Sequence, residues 1–126
     1  MPSPSLPISA LPQIRELVDS AEDILKADIS RIKKLLADPD ATLPPPIVAF
    51  TLQEAKDALE LLAMHSRQLT RWQKETISDA ERTEVLRLQG LVPHIRPLIQ
   101  RLIALATELD RRATTGTASP RKMWRH

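Results

Sequence analysis

Cysteine and tyrosine are absent from this 126-residue chain, and two tryptophans and one phenylalanine are its whole aromatic complement. Without thiols, disulfides, thiolate metal ligands and cysteine nucleophiles are all excluded. Only two glycines are present, too few for the tight turns of a β-meander, and strand formers are scarce beyond the aliphatics. A phosphate-cradling loop is excluded as well, since Gly90 and Gly116 stand far apart with no strand pattern before either. No run approaches the apolar length of a membrane span, and the start MPSPSLPISALP lacks the basic and apolar regions of a secretory signal. The chain therefore reads as soluble, intracellular and cytoplasmic. What is present is aliphatic: 42% of residues are hydrophobic and 27% charged, a globular balance with a core of Leu, Ile, Val and Ala. The expected class is all-α.

A sequence pI near 9.3 points toward nucleic acid until the charge is located. Residues 1–113 hold fifteen Lys and Arg against sixteen Asp and Glu, so the excess comes from Arg121, Lys122 and Arg125 in the tail. A domain built to neutralise phosphates concentrates its cations on one face. Here the basic excess belongs to the end of the chain.

Proline and apolar spacing divide the chain. Residues 1–8, with Pro2, Pro4 and Pro7, predict a disordered arm ahead of a single helical domain over 9–113. Ser9 is the expected N-cap of a first helix over 9–38, whose apolar stripe runs through Ile14, Val18, Ala21, Leu25, Ile29, Ile32 and Leu36. Pro39 stops it. The prolines at 44–46 predict a stiff extended link, with Ile47, Val48 and Phe50 folded over the core as a lid. Thr51 and Glu54 have capping-box spacing and place the start of a second helix over 51–76, which buries Ala55, Ala58, Leu59, Leu62, Leu69 and Trp72 around an interrupting His65. Ser78 and Glu81 repeat the capping pattern and predict a turn with a third helix from Asp79; the alternative is one continuous helix over 52–90.

The last segment has the sharpest periodicity. Val85, Leu88, Val92, Ile95, Ile99, Leu102, Ala106 and Leu109 alternate by three and four, which is coiled-coil heptad spacing, and Leu91, Leu98 and Leu105 make a second apolar line beside it. Two lines call for contacts on two sides, so Leu91, Leu98 and Leu105 are the candidate partner interface, joined by Trp124 in the tail. Gly90, Pro93 and Pro97 predict a kink near 90–97, or a split that makes four helices from three. Residues 114–126, with turn formers and no period, read as a disordered basic tail.

Chemistry-bearing residues are few. His65 has no second His three or four residues away and no Glu-x-x-His companion, so no metal and no cofactor are expected. Arg87-Leu-Gln-Gly-Leu-Val-Pro-His94 resembles the Arg-x6-His motif of small all-helical HEPN ribonucleases; the resemblance covers those eight residues and implies that Arg87 and His94 act on a scissile phosphate. The reading that follows is an antiparallel three-helix bundle serving as a non-enzymatic interaction module, a scaffold, adaptor or assembly subunit that meets a protein partner or its own copy. The alternative is a nucleic-acid-associated accessory protein using Arg87, Arg96 and Arg101 with Arg121, Lys122 and Arg125. A HEPN-like ribonuclease is third.

Overall fold

A computed structural model describes residues 6–41 and 43–118 and contains three long α-helices: α1 (Leu11–Ala37), α2 (Pro45–Gln73) and α3 (Asp79–Ala118), with a short 3-10 turn at Ile8–Ala10. The all-α class and the three-helix count are as the spacing predicts. Arg87 of α3 grips Asp19 early in α1, while Arg112 reaches the last carbonyls of α1. Hence α1 and α3 run the same way, and α2, which joins them in sequence, runs opposite to both. Both α1 and α2 pack along α3 and make little direct contact with each other. The core is the set of stripes read from the sequence: Ile14, Val18, Leu25, Ile29 and Ile32 from α1, Leu62, Leu69 and Trp72 from α2, and the full heptad line of α3 from Val85 to Leu109. Ala21 and Leu36 of α1 and Ala58 and Leu59 of α2, expected inside, are half-buried.

The helix starts differ from expectation for identifiable reasons. Ser9 lies in the 3-10 turn and Ala10 is the residue before α1, with no side-chain cap; Pro12 in the first turn supplies the helical φ instead. The triple proline does not form an extended link. Pro44 is extended, but Pro45 and Pro46 occupy the first positions of α2, where a missing N–H and a fixed φ are both compatible with the helix. So α2 begins upstream of Thr51, whose hydroxyl donates to the Ile47 carbonyl at 2.9 Å and caps nothing. The lid expectation holds only for Val48, which is fully buried; Ile47 and Phe50 are exposed on α2. The second capping box does form. Ser78 N–H donates to Glu81 Oε1 at 2.8 Å and Glu81 N–H to Ser78 Oγ at 3.1 Å, so the continuous 52–90 helix is excluded.

Helix α3 is neither split at 90–97 nor ended at Ala113; its backbone stays helical to Ala118. Pro93 and Pro97 are both exposed, on the solvent side of α3, where helix hydrogen bonds are the longer ones and a proline ring meets no neighbouring helix. Gly90 is also exposed, and a Cβ added there would meet nothing within 4 Å. Gly90→Ala is therefore expected to raise stability by about 0.5–1 kcal/mol through a less flexible unfolded chain, read as a higher urea midpoint with an unchanged slope.

The described part of the arm, expected to be disordered, is pinned. Leu6 N–H donates to Gln68 Oε1 at 2.8 Å, and the indole N–H of Trp72 donates to the Leu6 carbonyl at 2.9 Å. This segment crosses from the start of α1 to the end of α2. No described helix is long and apolar enough to cross a membrane.

Candidate functional site

Of the predicted interface, Leu91, Leu98 and Leu105 are half-buried and packed against the core. They lie on the same flank of α3 as Arg87 and Arg112, which reach α1. Trp124 lies outside the described residues, as do Arg121, Lys122 and Arg125. The second apolar line of α3 is thus largely taken up inside the bundle.

The free apolar surface is on the other two helices. Because α1 and α2 splay apart over α3, a groove of about 200 Å³ opens between them, floored by Ile95 and Ile99 and walled by Leu17, Ala21 and Ile24 from α1 and Ala58, Leu61 and His65 from α2. The wall residues that matter are exposed: Leu17 50%, Ile24 56% and Leu61 43%. A second hollow of about 340 Å³ continues the same face past His65, between Leu6, Leu61, Met64, Arg67 and Arg71, and Met64 is 51% exposed. Phe50, 63% exposed, precedes Leu61 by three helical turns and falls within about 20° of it around α2. Six of the large exposed apolar side chains (Leu6, Leu17, Ile24, Phe50, Leu61 and Met64) therefore share one face. Monomeric soluble proteins rarely leave such a patch bare.

The missed signal was in the sequence. Leu17 and Ile24 repeat at seven residues beside the core stripe of α1, as Ala58, Leu61 and His65 do by three and four on α2. Leu17, Ile24 and Leu61 thus extend the apolar surface of α1 and α2 onto a second flank, as Leu91, Leu98 and Leu105 do on α3.

His65 stands at the junction of the two hollows, and its partial burial pushes its pKa below the ordinary value of 6.5. A histidine whose folded pKa is depressed stabilises the fold fully above its unfolded pKa, and that contribution is lost as pH falls through the folded value. Stability is therefore expected to decline below about pH 6.5, with His65→Gln flattening that decline. Urea midpoints measured between pH 5 and 7.5 on both proteins check this.

The charged candidates are placed separately. Arg87 makes a two-pronged pair with Asp19, both contacts 2.9 Å, and its Nε donates to Glu84 at 2.8 Å. The hydrogen bond from Arg87 holds the Asp19 carboxyl below its usual range, and the same carboxylates keep the guanidinium charged. His94 is exposed two turns further on, roughly 10 Å along the axis. Arg101 is exposed on the Arg87 side, whereas Arg96 lies about 180° around α3 from Arg87, so the three arginines do not make one face. A hollow of about 300 Å³ between the starts of α1 and α3 has Arg15, Glu81 and Glu84 in its wall, but Glu81 caps α3 and Glu84 pairs with Arg87. Among the described residues no three His, Asp or Glu groups converge as a metal site would require.

No family model matches the chain, and neither a curated protein nor a solved structure is detectably similar to it.

Proposed function

We propose that this chain is a non-enzymatic protein–protein interaction module that works through the α1–α2 face rather than through α3. The observation that carries the reading is the groove itself: two helices held apart on a third, with exposed Leu17, Ile24 and Leu61 over a floor of Ile95 and Ile99. In a four-helix bundle such a space is filled by a further helix, and helix-in-groove recognition uses apolar anchors at this spacing. The nucleic-acid and ribonuclease readings draw less support from the same surface. Arg87 already serves two carboxylates, and Arg96 stands on the opposite flank from Arg87 and Arg101.

The test is a titration of dilute protein with a neutral synthetic amphipathic helix of leucine and glutamine, followed by methyl NMR. Shifts are expected at Leu17, Ile24, Leu61 and Ile99 and should vanish in an Ile24→Asp, Leu61→Asp variant. Shifts confined to other surfaces, or none, would remove the basis of the reading.

A further inference from the structure

The α1–α2 face carries a charge pattern as well as an apolar one. Helical spacing puts Glu16 and Asp23 beside Ser20, which lines the groove, in the first half of α1; in the second half Arg31 extends the line of Ile24 and Lys34 stands on the line of Glu16. On α2 the order is the same: Glu54 and Asp57 come first, on the line of Leu61, and Arg67 and Arg71 follow in the wall of the second hollow. Arg31 also pairs with Asp28 one turn back, and with Lys34 that half of α1 stays net positive. Since the two helices run in opposite directions, each end of the face has an acidic side and a basic side, and the signs are exchanged between the ends.

A face with that layout is complementary to itself. Rotation by two-fold symmetry about an axis along the groove lays α1 of one copy antiparallel on α2 of another. Glu16 and Asp23 then meet Arg67 and Arg71 of the other copy, and Arg31 and Lys34 meet its Glu54 and Asp57. The same rotation sets Leu17 and Ile24 over Leu61 and Met64. A single foreign helix of either charge would meet repulsion along half of the face, whereas a second copy matches all four quadrants and covers both helices at once. Building on the interaction-module reading, we infer that the occupant of this face is a second copy of the chain, in a two-fold dimer whose interface is the α1–α2 groove.

Sedimentation equilibrium over the micromolar range tests this with four proteins. Wild type is expected to be a dimer. Leu17→Asp, Leu61→Asp should raise the dimer dissociation constant at least tenfold with helicity by circular dichroism unchanged. Two charge-reversed proteins, one with Glu16→Arg and Asp23→Arg and one with Arg67→Glu and Arg71→Glu, should each be monomeric alone and form a heterodimer when mixed. A wild-type monomer overturns the dimer, as does a dimer that survives the apolar substitutions or a mixture that stays monomeric. The underlying reading is tested apart from this one: a monomer whose groove still takes the neutral model helix overturns the second copy alone, and a monomer that takes neither overturns both.

Discussion

Trp72→Ala is expected to be the most damaging single substitution in the described part of the chain, costing about 3–5 kcal/mol. Trp72 is the largest fully buried side chain, so truncation opens a cavity at the end of α2 that its neighbours can fill only in part. Against a total stability on the order of 5–15 kcal/mol, that loss should lower the melting temperature by more than about 10 °C. A second effect separates packing from hydrogen bonding. The indole N–H holds the Leu6 carbonyl, which Gln68 Nε2 approaches at 3.4 Å as a weaker donor. Trp72→Phe keeps most of the apolar contact and removes the donor, and should cost only about 1–3 kcal/mol. In both variants the amide of Leu6 should exchange faster with deuterium, since the segment across the open end of the bundle loses its anchor. A Trp72→Ala protein as stable as wild type would mean that the core does not close around this residue.

The places where the sequence was read correctly are those where one rule acted alone. Heptad spacing on α3 identified every buried residue from Val85 to Leu109, because an aliphatic stripe has no alternative burial partner in a chain so poor in aromatics. Ser78 and Glu81 set a helix start because nothing upstream competed. At Thr51 the same spacing misled, since Pro45 and Pro46 had already fixed helical φ angles six and five residues earlier, and propagating a helix is easier than nucleating one. At Pro93 and Pro97 the spacing left a kink and a split both open, and only the split is excluded, because the exposure of both rings on α3 is a tertiary fact, invisible until the neighbours are placed.

The candidate site was legible only as a principle. A second apolar line means a second contact, and on α3 that contact is internal: Leu91, Leu98 and Leu105 pack against the core. On α1 and α2 the corresponding lines, shorter and mixed with Ser20 and His65, were the ones left facing outward. Which apolar line a bundle consumes depends on how its helices pair, and α1 pairing with α3 rather than with α2 is a consequence of the whole packing rather than of any local pattern.

The groove also requires that α1 be held on α3 with little contact to α2, which makes Arg112 a second position of large expected effect. Its Nη1 donates to the Leu35 and Asp38 carbonyls at 3.0 and 3.1 Å, and its Nη2 donates to the Leu36 carbonyl. The last turn of a helix leaves such carbonyls without internal partners, and a cation is favourable there. Here the cation arrives from α3, so one side chain both caps α1 and fixes its far end, while Arg87 holds Asp19 near the other end. Arg112 is half-buried, and Arg112→Ala is expected to cost about 1.5–3 kcal/mol, the range for hydrogen bonds that involve a charged group. Arg87→Ala should cost no more than about 1 kcal/mol, because that pair is well exposed to solvent. Hydrogen exchange should locate the difference: amides near 35–41 should lose protection in Arg112→Ala, and those of α3 should not. Arg112→Lys should recover only part of the loss, because one ammonium cannot span three carbonyls as a planar fork does. Equal protection of that segment in all three variants would show that α1 is positioned by apolar packing alone, and that the width of the groove owes nothing to this contact.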